Sequence, residues 1–271
     1  MPRRTVLIIV PIVFAVCLLL IFAGIVTAAE LVKAKNGSGI VGYKDTPILP
    51  WCGYYQHDPD RPAPPRVIPK AGNGFSVAPP DAIILFNGKD MSKWKKSDWK
   101  LDLDNGELVA ANGNLSTNES FGDCQLHIEW MAPDPPQGSF WDHGNNGVLL
   151  MGLFEIQIFD SYSTKIYPDG QAASVYGQTP PMVDACRKPG KWQSFDIIFF
   201  APIFKNGKLN KPAHVTVFHN GVLAHHNQKI YGPTGHRILP QYTEPIAEKL
   251  PLSLYGHNNP VRFRNIWIRP L

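Results

Sequence analysis

Three absences narrow this sequence before any motif does. No stretch holds a 3.6-residue apolar period, which excludes a helical bundle as the core. Cysteine is scarce, with Cys17 inside an apolar run and only Cys52, Cys124 and Cys186 beyond it. Three widely spaced thiols allow one disulfide and a free thiol, or none, and they exclude a disulfide scaffold or a zinc cage. Charge is also sparse, at 18% of residues with a net of +4, and Lys and Arg are dispersed. Without a basic stripe interleaved with stacking aromatics, nucleic acid is excluded as a partner.

The amino terminus also lacks charge. After MPRR, no charged residue falls between Val6 and Ala29. That run exceeds the roughly 7 to 15 apolar residues of a signal-peptide core and reaches the roughly 20 needed to span a bilayer. Arg3 and Arg4 would stay cytoplasmic. Residues 1–29 are therefore expected to be a membrane anchor, or a signal peptide cleaved near Ala28. The remainder is expected outside the cytoplasm, periplasmic or at the cell surface, anchored or secreted. Residues 30–80 turn to Pro, Gly and Lys, as in PDRPAPPRVIP, and read as an extended linker. Trp51, Tyr54, Tyr55 and His57 imply that part of this linker packs on the domain.

From Asp81 to Leu271, short apolar or alternating runs are separated by turn residues. Asn-Gly recurs at Asn87, Asn105, Asn112, Asn206 and Asn220, each beside such a run, and suits the positive φ angles of tight hairpins. Many short strands with turn signals predict an all-β domain, an antiparallel β-sandwich or barrel. No internal repeat is present.

The stretch DHGNNGVLLMGLFEIQIFD, Asp142 to Asp160, organises the rest. In a strand, Phe154, Ile156 and Ile158 face a core while Glu155 and Gln157 share the opposite face. An acid and an amide so placed can orient sugar hydroxyls, and Glu155 can also move a proton. Asp160 has the wrong parity and joins that face only if the strand ends or bulges near Phe159. His257, in LYGHNNPV, has an imidazole suited to proton transfer or metal binding. Asp142 and His143, with Glu155, Asp160 and His257, offer mixed oxygen and nitrogen donors for a divalent metal, although no local spacing demands one. His225-His226 reads as a surface pair.

Five pieces in order resemble the 3-keto-disaccharide hydrolase domain family: LFNGKDMSKW, NNGVLLMG with EIQIFDSY, YPDGQAASVYGQTPP, RKPGKWQSFDI and PVRFRNIWIRPL. The likeness covers about Asp81 to Leu271. It implies a concanavalin-like jelly roll and action on glycosides whose sugar carries a 3-keto group. Asn145, Asn146 and Tyr176 fall in matched motifs and are implied to bind sugar with Gln157 and Asp160, while Glu155 and His257 are implied catalysts. Where the family commonly reads Leu-Gln-Asp-His-Gly, this chain has Leu254, Tyr255, Gly256, His257 and Asn258; Leu153 replaces an expected basic residue. Those departures leave two alternatives to an enzyme: a lectin-like carbohydrate-binding module and a structural envelope protein.

Overall fold

The computed structural model describes residues 30–70 and 77–271. The expected anchor or signal segment, 1–29, lies outside them. Among the described residues no helix is long and apolar enough to cross a membrane. The elements are β1 (Leu31–Lys33), β2 (Val41–Tyr43), β3 (Ile83–Phe86), β4 (Lys100–Asp102), β5 (Glu107–Val109), β6 (Asn112–Phe121), β7 (Cys124–Met131), β8 (Asn146–Leu150), β9 (Phe154–Ile158), β10 (Gln193–Phe200), β11 (Ile203–Lys205), β12 (Lys208–Lys211), β13 (His214–His219), β14 (Val222–Lys229), β15 (Leu250–His257) and β16 (Arg262–Pro270). A single 3-10 turn, Pro168–Gly170, is the helical content of the described residues.

The strands build the antiparallel sandwich expected from the sequence. The larger sheet runs β14-β13-β10-β7-β16-β5-β4, with β3 also paired to β16, and the smaller runs β6-β15-β8-β9. Alternation decides which faces meet. In β7, Leu126, Ile128 and Trp130 point inward, and in β10 Phe195, Ile197 and Phe199 do so; Leu126 pairs with Ile197 and Ile128 with Phe195. Val148, Phe154, Ile156, Ile158 and Leu254 of the smaller sheet complete the core at no more than 1% exposure, so each contributes close to its full burial energy, ~1.5–3 kcal/mol. The last strand, β16, lies inside the larger sheet, with Phe263 opposite Trp130 and Ile268 opposite Leu126.

Two expectations about turns and strands need correction. Asn206-Gly207 and Asn220-Gly221 do close hairpins, with φ of 52° and 73° and of 53° and 78°. Asn112-Gly113 instead opens β6, where Asn112 pairs with His257 and Gly113 with Gly256. That strand was invisible in its polar sequence NGNLSTNESF, because it is an edge strand whose inward residues are few, chiefly Leu115 and Thr117. The second correction concerns His225, which is 2% exposed rather than superficial; its Nε2 lies 3.0 Å from the Ala173 carbonyl.

β9 is the other edge of the smaller sheet, and a loop covers it. The Gln157 N–H donates to Ser174 O, Ala173 N–H to Gln157 O, and Tyr176 N–H to Glu155 O. From the other side of the chain, Thr234 Oγ1 accepts the Glu155 N–H at 2.9 Å. Residues 30–66 are seated on this region: Val41 bridges Ile166, Arg66 bridges Asp184, and Trp51 stacks on Tyr231 with ring centroids 3.7 Å apart. Gln56 and His57 are fully buried there.

Candidate functional site

A cavity of about 560 Å³ lies over the face of the smaller sheet that turns away from the core. Register arranges its floor in rows. Glu155 pairs with Leu149 and Gln157 with Gly147, while Leu149 and Gly147 pair in turn with Ser253 and Tyr255. Period-two alternation brings Glu155, Gln157, Leu149, Tyr255 and His257 to one face, and all five line the cavity. The walls come from Tyr43, Trp141, Tyr167, Tyr176 and His236.

Glu155 occupies the floor because Gly147 has no side chain. A Cβ built on Gly147 would stand 2.2 Å from Glu155 Oε1, 2.8 Å from Cδ and 2.9 Å from Cγ, so the carboxyl lies across the glycine. Burial, with no opposing hydrogen bond or ion pair, pushes that carboxyl up to about 8. It therefore carries a proton at neutral pH. Gly147 is a diagonal neighbour of His257, since it pairs with Tyr255 two residues away, and such positions lie roughly 7–8 Å apart. The Glu155 carboxyl, lying across Gly147, and His257 therefore share the same part of the cavity floor.

His257 ends β15, half-buried, its ring 4.2 Å from that of Tyr255. Burial lowers its pKa below the ordinary value and Asp142 only partly opposes this, so the imidazole is neutral at pH 7. A second imidazole, His236, stands at the rim with its Nδ1 3.0 Å from the Tyr176 hydroxyl. Burial, aided by His57 and Arg237, lowers its pKa to about 4. Tyr176 is also 3.2 Å from the Tyr167 hydroxyl, and burial raises both phenols, which keeps them as neutral hydrogen-bond donors.

Beneath these rings lies a buried ion pair. Asp169 is fully buried; its Oδ2 accepts the His57 N–H at 3.0 Å and stands 3.6 Å from Arg61 Nη1. Burial alone would raise the Asp169 pKa, but His57 and Arg61 hold it below the usual carboxylate range. Gln56 Nε2 donates to the carbonyls of Gly177 and Gly235, tying the same segment to both wall loops. His57 itself has φ of 63°, a strained setting for a residue with a side chain.

The other sequence candidates divide. Gln157 lines the cavity, although its Oε1 already accepts the Ile158 N–H. Asn145 and Tyr176 line it as well. Asp160 does not: although β9 ends at Ile158, which frees its parity, the Asp160 Oδ1 takes the N–H groups of Tyr162 and Ser163, closing a turn. Asn146 is fully buried, its Nδ2 3.4 Å from Asn259 O, and lies outside the cavity lining. His143 Nδ1 meets Thr164 Oγ1 at 3.0 Å, and Asp142 Oδ2 accepts from Ser139. The mixed-donor metal set is thus dispersed, and among the described residues no three His, Cys, Asp or Glu groups converge on a cation position.

Residues 81–269 match the family model of the 3-keto-alpha-glucoside-1,2-lyase-like domain. The chain belongs to that family. A protein from Parabacteroides distasonis ATCC 8503, provisionally assigned as a glycosyl hydrolase, is 37% identical with a TM-score of 0.69, covering 78% of this chain and 93% of its own. A second protein of that organism with the same provisional assignment is 19% identical, with a TM-score of 0.49, over 70% of this chain and 94% of its own. No curated protein matches.

Within this 3-keto-alpha-glucoside-1,2-lyase-like chain, the departures around His257 have structural counterparts. Tyr255 projects into the cavity where the family pattern has Gln. At Gly256 an added Cβ would fall 1.9 Å from the Ala111 carbonyl oxygen, so no larger residue fits this backbone. Leu153 lines the cavity as an apolar residue. Sequence reasoning missed His236, Trp141 and Tyr43 as lining residues. His236 sits between Gly235 and Arg237 in an irregular loop without strand alternation, and Tyr43 lies before the family domain begins.

Proposed function

We propose that this protein cleaves glycosides bearing a ketone at C3, by 1,2-elimination followed by addition of water. The family name describes a lyase acting across C1 and C2 of a 3-keto-glucoside, and the 37%-identical relative is assigned to glycoside chemistry. The observation that carries the reading is that one cavity floor holds both Glu155, whose burial favours its protonated form, and His257, whose burial favours its neutral imidazole.

The ketone acidifies the C2–H bond. His257 takes that proton; the C–H electron pair forms an enolate, which collapses to expel the oxygen at C1 while Glu155 protonates the departing group. The hydrogen-bonded chain of Tyr167, Tyr176 and His236 leaves at most one phenol proton free, and that donor suits the enolate oxygen. Water then adds to C1 of the unsaturated sugar, and the net result is hydrolysis. The sequence leaves Glu155 and His257 as alternative bases; their opposite pKa shifts favour a division of roles, acid and base.

Such a division sets a bell-shaped rate profile. Activity is expected to rise as His257 loses its proton below pH 6.5 and to fall as Glu155 loses its own near pH 8. Initial rates from pH 4 to 10 measure both limbs, and activity still climbing above pH 9 would return Glu155 to the role of base. Gly147→Ala is a separate check. Because Gly147 does not have positive φ, alanine suits the backbone but collides with the carboxyl. Displacement by an ångström or more is expected to cost about 10²-fold in turnover, with the melting temperature nearly unchanged.

Incubation with a panel of 3-keto-glycosides, with glycan binding measured in parallel, tests the function. Release of the leaving group supports the enzyme; saturable binding without release supports the lectin-like alternative. The Arg3-Arg4 flank and the apolar run after it support an extracytoplasmic setting, anchored or secreted. Sedimentation of the full chain with membranes, and access of added protease to the domain, test that separately.

A further inference from the structure

Building on the glycoside reading above, we infer that Trp141, Tyr43 and Phe140 form a leaving-group subsite that recognises a six-membered ring, aryl or pyranose. Tyr43 and Trp141 line the cavity and Phe140 packs on Trp141, so the three rings make one apolar aromatic cluster in its wall. Tyr43 and Trp141 are nearly parallel, 14° apart with centroids at 6.0 Å, and Phe140 meets Trp141 at 4.2 Å. Trp141 also meets Tyr167 at 5.9 Å, which joins the cluster to the rest of that wall. Exposure rises along it, from 4% at Tyr167 through half-buried Trp141 to 37% at Phe140.

That gradient assigns the subsite. The sugar that loses its C2 proton must reach Glu155 and His257 on the floor, whereas the leaving group must depart towards water, and the cluster runs that way. Flat apolar faces gain more from stacking a ring than from covering a methyl group, which offers far less area. Tyr43 adds a further point: it precedes the family domain at 81–269, so preference for the leaving group is set partly by a segment outside that domain. Arg237 lies over the Tyr43 ring, 5.3 Å from its centroid, and pairs with Asp45, which restrains the ring.

The test compares phenyl, glucosyl and methyl 3-keto-glucosides on the full chain, Trp141→Leu, Trp141→Phe and Tyr43→Leu. Because phenoxide leaves more readily than an alkoxide whatever binds it, the parent is judged on glucosyl against methyl. There glucosyl is expected to be favoured in kcat/KM, and the phenyl comparison is read only as a change between parent and variant. Trp141→Leu should reduce the phenyl-to-methyl ratio about 3- to 10-fold, the range given by an aromatic contact, and Trp141→Phe should restore most of it. A glucosyl-to-methyl ratio near one in the parent, or a phenyl-to-methyl ratio unmoved by Trp141→Leu and Tyr43→Leu, overturns the subsite even if turnover is brisk. If no keto-glycoside is turned over, phenyl and methyl glucosides are titrated by NMR. A phenyl preference that depends on Trp141 then keeps the subsite while the catalytic reading falls; no such preference removes the subsite too.

Discussion

Glu155→Gln is expected to lower turnover of a 3-keto-glycoside by about 100-fold or more, the lower part of the roughly 10² to 10⁴ that a positioned acid or base contributes. The same change is expected to raise the melting temperature at pH 8. In the folded chain the carboxyl keeps its proton up to about 8, whereas in the unfolded chain it releases it near the ordinary value of 4.5. Between those two pH values the folded state binds more protons, so stability declines as pH rises. Glutamine keeps the shape and has no proton to lose. The stability gain should therefore be absent below about pH 4.5 and grow to a plateau above about pH 8. Thermal melts of parent and variant across that range, beside their rates, check both halves. A variant that loses activity and stability together would mean that Glu155 supports the fold. His257→Gln is the companion: near-normal turnover in Glu155→Gln with none in His257→Gln would remove Glu155 from proton transfer.

Asp169→Asn is expected to destabilise the protein by about 3–5 kcal/mol, the cost of leaving a buried charge without its partner. The unpaired charge would be that of Arg61, whose side chain is 7% exposed. Because the folded-state pKa of Asp169 is depressed, its contribution is present above the unfolded carboxylate value, about 3.9, and is lost as pH falls through the folded one. The difference between parent and variant in urea titrations should be full at pH 7 and shrink below pH 4. Hydrogen exchange should quicken first in residues 40–66, the segment that Asp169 holds through His57 and Arg61. Uniform quickening across both sheets would mean that the pair supports the whole domain.

Much of the fold could be read from alternation. FEIQIF placed Phe154, Ile156 and Ile158 inward and Glu155 with Gln157 on the other face, because one strand face had to be apolar. β6 could not be read that way, since its hydrogen bonds to β15, rather than apolar content, hold it in the sheet. The site was half legible for a similar reason. Strand parity located Glu155; Asp160 stays off the floor although β9 ends at Ile158, because its carboxylate turns to the N–H groups of Tyr162 and Ser163. Tertiary arrivals such as His236, Trp141 and Tyr43 carry no local period, so only packing brings them together. Asn146 has polar chemistry suited to sugar, yet it is buried beside Asn259 and outside the cavity lining.

The position of β16 bears on how the molecule is made. The last strand of the chain sits within the larger sheet, paired with β7, β5 and β3, and supplies Phe263, Ile266 and Ile268 to the core. During synthesis, therefore, the outer strands of that sheet emerge with a gap at its centre, and Trp130 and Leu126 have no neighbour on that side. Such non-local closure is slow and leaves apolar edges exposed in the interval. The sandwich can close only after residues 262–270 have left the ribosome, so a nascent chain stalled or trimmed before Pro260 would be a client for chaperones or proteases rather than a shorter version of the protein.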